Sequence, residues 1–151
     1  MDTIVNTRTG EVGDRSIWIR RFTELWSVGR ARFPEFMSLL SPQIRLSAPG
    51  LRTTCGWEEC ERAFERTFAV LPDLTAIIHR WSACDDALFV EMTFSATIGR
   101  KPVRWRNVDR FLFRDGMAIE RVAFFNPTPV RRALLAPSGW RQLWRHIRTG
   151  P

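Results

Sequence analysis

The stretch VRWRNVDRFLFRDG, Val103 to Gly116, alternates strictly between two kinds of surface. Val103, Trp105, Asn107, Asp109, Phe111 and Phe113 share one side, and Arg104, Arg106, Val108, Arg110, Leu112 and Arg114 share the other, because side chains in a strand alternate with period two. A run of that length requires a sheet with one face against a core. The core-facing side, however, carries an amide and a carboxylate at its centre. An unpaired charge is costly there, so Asp109 must find a partner or take up a proton.

Around this strand the chain divides into helices first and strands second. After residues 1–13, which are polar and read as a loose segment, DRSIWIRRFTELWSVGR brings Trp18, Phe22, Leu25 and Trp26 together at helical spacing. FPEFMSLL continues as a short helix with proline in its first turn, and QIRLSAPG is a short strand broken by Pro49 and Gly50. In WEECERAFERTFAVL, the residues Cys60, Phe64, Phe68 and Leu71 mark one helix face, and Pro72 stops the helix. Four strand segments follow: LTAIIHRW, ALFVEMTFSA, VRWRNVDRFLF and AIERVAFF, separated by turns at Asp85–Asp86, Gly99 and Asp115–Gly116. Three helices and then a meander predict an α+β domain over residues 14–151, with helices packed on one face of a curved antiparallel sheet.

Composition excludes several classes. A chain of 151 residues, 44% hydrophobic, is long enough to bury a sizeable core. The net charge of +7 suggests an anionic partner, but the arginines are spread along the chain and interleaved with acids. No phosphate-tracking stripe forms, so no nucleic-acid partner is expected. Cys55, Cys60 and Cys84 lack the close pairing of a zinc or redox site and read as reduced, mostly packed thiols. No glycine-rich phosphate loop, metal cluster or Ser/Cys–His arrangement is present, and no cofactor is expected. With no membrane-spanning run and no apolar leader in MDTIVNTRTGEVGDR, the expectation is a cytoplasmic protein.

GRKPVRWRNVDRFLFRDGMAIERVAFFNPTP resembles the C-terminal half of the nuclear transport factor two-like superfamily, which includes ketosteroid isomerases, SnoaL-like polyketide cyclases and limonene-epoxide hydrolases. The order of elements agrees over nearly the whole chain. The resemblance implies a cone in which a bent sheet and three helices enclose a deep apolar pocket, and commonly a homodimer. It places Asp109 where ketosteroid isomerases keep the protonated carboxylic acid of their oxyanion hole. Their general base falls at about Ala48 and their tyrosine near Phe22 or Glu24, in a chain with no tyrosine. Of the two acids and bridging arginine of limonene-epoxide hydrolases, one acid falls on Glu91; the other falls on Ala123 and the arginine on Phe89. Asp109 and Arg121 could supply the missing acid and cation.

Whether Arg121 meets Asp109 depends on the hairpin between them. A two-residue loop at Asp115–Gly116 would set Val122 opposite Asp109; a three-residue loop, with Gly116 left-handed, would set Arg121 there. The longer loop is expected, because it gathers Ile119, Ala123 and Phe125 onto the face of Phe111 and Phe113. Asp109 then gains a cationic partner that would hold it ionised, as a base or a structural ion.

The candidate catalytic residues are therefore Asp109, Glu91 and Arg121. For Glu91 the alternation of Leu88, Val90, Met92 and Phe94 argues an exposed position, whereas the resemblance places it in the pocket. His79, alternating with Ile77 and Trp81, is a candidate proton shuttle or packing residue. Asn107, Trp57, Phe64, Phe68, Phe111 and Phe125 are expected to line an apolar cavity. The expected function is acid–base chemistry (hydrolytic, isomerising or cyclising) on a steroid-, terpenoid- or polyketide-like molecule, with binding alone as the alternative. Finally, APSGWRQLWRHIRTG sets Trp140, Leu143, Trp144 and Ile147 against Arg141, Arg145 and Arg148. This helix is expected to dock on its own chain or a second copy rather than on a membrane.

Overall fold

The structure, a computed structural model, describes residues 8–148. Helix α1 (Arg8–Val28) leads through a 3-10 turn (Gly29–Arg32) into α2 (Phe33–Met37), then β1 (Leu40–Ser47), β2 (Thr54–Cys55) and α3 (Trp57–Val70). Strands β3 (Thr75–Cys84), β4 (Ala87–Ile98), β5 (Lys101–Arg114) and β6 (Met117–Phe125) follow, and α4 (Thr128–Leu135) and α5 (Pro137–Arg148) complete the order. The six strands form one sheet in the order β2-β1-β6-β5-β4-β3.

Long alternating strands produce this sheet as expected. Every even-numbered residue of β4 from Leu88 to Ile98 is buried, and on β5 the buried set is Asn107, Asp109 and Phe111. Pairing Val90 with Asp109 and Met92 with Asn107 puts these two sets on one face. Helix α1 lays Trp18, Ile19, Phe22, Leu25 and Trp26 over that face. Phe22 lies at the centre of an aromatic cluster, with ring centroids 5.0 Å from Trp18, 5.4 Å from Phe111 and 5.9 Å from Phe36. Helix α3 adds Cys60, Phe64 and Phe68, one turn apart, to the same core. At Gly29, left-handed with φ +60, a Cβ would collide with the Leu74 carbonyl, so only glycine lets the chain pass this close to the start of the sheet.

The structure corrects the sequence reading in five places. Helix α1 begins at Arg8, taking in residues expected to be loose; residues 1–7 lie outside the described ones. Strand β1 pairs in parallel with β6, through Leu46↔Arg121 and Ser47↔Val122, so the sheet is antiparallel only in the main. TPVRRALL forms a separate helix, α4, that Pro129 in its first turn and Pro127 just before it disguised. Cys55 and Cys84 are exposed, and only Cys60 is packed away. The β5–β6 connection is the two-residue turn, Asp115 and Gly116 both left-handed at φ 51 and 75, as a type I′ hairpin requires. A bulge follows between Leu112↔Glu120 and Phe113↔Ala118, and it sets Ala123 opposite Asp109.

Helix α5 docks through a residue that its apolar periodicity did not single out. Gln142 accepts from the Gly99 amide at 2.9 Å and donates to the Val70 carbonyl at 2.7 Å and the Thr97 carbonyl at 3.2 Å. Leu143 turns inward, while Trp140, Trp144 and Ile147 remain exposed.

Candidate functional site

A cavity of about 720 Å³ lies between the inner face of the sheet, helices α3 and α4, and the loop joining β1 to β2. Its wall is mostly apolar: Trp26, Phe64, Leu71, Phe94, Trp105, Ala123, Phe125 and Val130 contribute, with Leu143 of α5. That volume and character suit a small organic molecule. Trp105 is fixed against Phe94, ring centroids 5.5 Å apart and nearly parallel, so this part of the wall is stiff.

Three polar residues meet where β5 and β6 run under the cavity. Asp109, 0% exposed, accepts from Arg121 Nε at 2.7 Å on one oxygen and from Asn107 Nδ2 at 2.8 Å on the other. The three share a face because the bulge brings the odd-numbered residues of β6 into phase with those of β5. Asn107 and Arg121 belong to the cavity lining, and Asp109 sits behind them. Arg121, whose side chain is 11% exposed, also places its guanidinium 6.0 Å from the Phe64 ring centroid. Since Nδ2 of Asn107 serves the carboxylate, its Oδ1 remains as an acceptor, buried and without a partner.

Chemically, this is a cationic donor held in place by a buried anion. Arg121 spends Nε on Asp109, and its remaining N–H groups are available to an oxygen in the cavity. An oxygen gaining negative charge during a reaction would be stabilised there, in a site partly shielded from water.

Other candidates lie elsewhere. Glu91 pairs across the sheet with Val108, not with the row of Asp109, and so projects from the outer face, as the alternation argued and the resemblance did not. There it hydrogen-bonds Arg80 and lies 3.8 Å from Arg106. The Arg80 hydrogen bond holds its carboxyl below the usual range, against a smaller opposing effect of burial. His79 falls at a break in register between Ile78 and Arg80 and is exposed, its Nε2 2.7 Å from Thr93 Oγ1. Trp57 is 43% exposed and donates to the Leu40 carbonyl at 3.2 Å, apart from the cavity wall. Phe111 is wholly buried beneath Trp18 and Phe22, and Phe68 likewise packs in the core rather than on the wall. Phe64, Phe125 and Asn107 do line the cavity.

Sequence reasoning missed the loop of residues 47–52 and helix α4 as cavity walls, and with them the arginines of the rim, Arg52, Arg62, Arg66 and Arg131. Only Arg62 and Arg66, four apart on α3, carried a usable signal of a shared face. Among the described residues, no cluster of histidine, cysteine, aspartate or glutamate could hold a metal ion. No described helix is long and apolar enough to cross a membrane.

The same arrangement of elements occurs in known proteins. A putative SnoaL-like polyketide cyclase from Jannaschia sp. CCS1 superposes with a TM-score of 0.71 at 18% identity, over 91% of this chain and 99% of that one. A putative hydroxylase, AclR, from Streptomyces galilaeus gives 0.68 at 19% identity, over 83% and 98%. A limonene-epoxide-hydrolase-like epoxide hydrolase from M. tuberculosis gives 0.66 at 17% identity, over 91% and 98%. At such identities these likenesses establish the fold, which hosts several chemistries. No curated protein matches the chain. The SnoaL-like domain family matches residues 19–121, spanning α1 to the arginine of the buried cluster, and the chain belongs to that family.

Proposed function

We propose that this protein takes an apolar small molecule, of steroid, terpenoid or polyketide type, into the cavity and performs acid–base chemistry on an oxygen-bearing group held by Arg121. The observation that carries this reading is the buried Asp109–Arg121–Asn107 cluster under an otherwise apolar wall. Arg121 binds and polarises the ligand oxygen, Asp109 fixes the guanidinium and is the carboxylate of the cluster that takes the proton removed from the ligand or from a water molecule, and Asn107 Oδ1 accepts a hydrogen bond from that same group. Similar proteins include a putative cyclase, a putative hydroxylase and an epoxide hydrolase, which supports reactions at oxygen-bearing carbon. A cytoplasmic location and a homodimer are part of the same proposal.

A second reading, binding without turnover, is favoured by one observation: Glu91 and His79 face away from the cavity, so the cluster offers a single carboxylate, and that one is fully covered. Turnover of a panel of epoxides, enones and polyketide fragments separates the two. Consumption of one class by the wild type, lost in Arg121→Gln, supports catalysis. Ligand retention in native mass spectrometry with no turnover of any class supports binding alone.

A further inference from the structure

The cavity has a chemically divided character: its depth is mostly apolar around the Arg121–Asn107 cluster, and its rim is cationic. Of the lining residues, Gly50, Leu51, Arg52, Arg62, Arg66 and Arg131 are the exposed ones, and they mark the mouth. Four of these six are arginines, contributed by three separate segments: the β1–β2 loop, α3 and α4. Glu59 is the one carboxylate among the lining residues, and it is already engaged. It accepts from the Cys55 amide at 3.0 Å and lies 3.9 Å from Arg52. Arg62 lies 3.8 Å from Glu58. Arg66 and Arg131 make no ion pair with the described residues, and the Arg131 guanidinium lies so close over Gly50 that a Cβ there would collide with it. Two or more uncompensated cations at the mouth of an apolar cavity raise the local concentration of anions and pair with an acidic group at the threshold.

We propose that the ligand is an amphipathic anion, with an apolar body inside the cavity and an acidic group, ionised at neutral pH, held at the mouth by Arg66 and Arg131. The proposal rests on the reading that the cavity holds a small molecule, and it adds a second anchor on the opposite side of the ligand from Arg121. The basic charge of the chain, too dispersed along the sequence to suggest a nucleic-acid stripe, acquires here a local use for a much smaller anion.

The test is a fluorescence titration of the full-length protein with pyrenebutyrate and with its methyl ester, which share an apolar body and differ in the charge. The acid is expected to bind about tenfold more tightly than the ester at low ionic strength, as charge-assisted hydrogen bonds to guanidinium groups predict, and to lose most of that advantage at high salt. In the Arg66→Gln, Arg131→Gln double variant the acid should weaken to the level of the ester, while the ester binds as it does to the wild type. Equal affinity of acid and ester for the wild type would overturn the proposal and leave the cavity reading intact. So would a double variant that weakens both equally, or that binds the acid like the wild type. Binding of neither compound would defeat the cavity reading itself, and this proposal with it.

Discussion

Arg121 and Asp109 form a pair in which each residue makes the other tolerable. Replacing only the arginine strands a carboxylate that is 0% exposed. Arg121→Leu is therefore expected to cost about 3–5 kcal/mol in urea denaturation, the usual penalty for breaking a buried pair from one side. Adding Asp109→Asn to that variant should restore a large part of the loss, because a neutral amide is cheaper to bury than an orphaned charge. If the double variant were no more stable than Arg121→Leu alone, Asp109 would carry no charge in need of compensation. Asp109 was legible in the sequence, since strict alternation put a carboxylate on an apolar face. Its partner was legible only by phase. Arg121 is an odd-numbered residue on the part of β6 beyond the bulge, where odd-numbered residues face the core, and phase does not say which of them stands nearest.

At the scale of the element, the β5–β6 hairpin shows why phase survived an error in the loop. The expected three-residue connection and the observed two-residue turn followed by a bulge each insert one extra residue. Moving that residue from the loop into the strand shifts the register along β6, so that beyond the bulge Arg121, Ala123 and Phe125 still share the face of Phe111, whereas ahead of it Ala118 rather than Ile119 stands opposite Phe113 and is buried. The sequence carries the side-chain pattern strongly and the location of the irregularity weakly, because a bulge needs no special residue. Strand β4 gives the opposite lesson: its own alternation placed Glu91 correctly, and distant resemblance drew it to the wrong face. The outer position has a consequence in acid. With its folded-state pKa below the ordinary 4.5, Glu91 contributes its stabilisation in full above that value, and the contribution fades as the pH falls through the lower, folded value. In Glu91→Gln this component of the pH dependence should vanish, so the stability difference between wild type and variant, measured by thermal melts, should be constant above pH 4.5 and shrink below it. A difference that grew in acid would contradict the assignment.

For the whole molecule, the outer face of the sheet is the surface most in need of explanation. Phe89, Val108 and Phe124 are exposed there, and Val108 stands between Phe124 on one side and Glu91 on the other. Apolar side chains set among the ion pairs Arg80–Glu91 and Arg110–Glu120 suit a second copy of the same face, which could exchange these contacts about a twofold axis. The proposed homodimer predicts a dimeric mass for the wild type in light scattering, and a monomer for Phe124→Glu with its cavity still able to bind. A wild type that ran as a monomer at all concentrations would remove the dimer from the proposal.

The parallel contact between β1 and β6 has a consequence in time. Ser47 and Leu46 find their partners, Val122 and Arg121, only after some seventy intervening residues have been made, so on a ribosome the first strand emerges long before the strand that shields its edge. Until β6 arrives, one margin of β1 stands open and the floor of the cavity does not exist, whereas α3 and β2 can already gather locally. The sheet of this chain thus closes late, through the segment that brings Arg121 to Asp109 and joins the two parts of the sheet, and the cavity walls supplied by α4 and α5 can be added only after it.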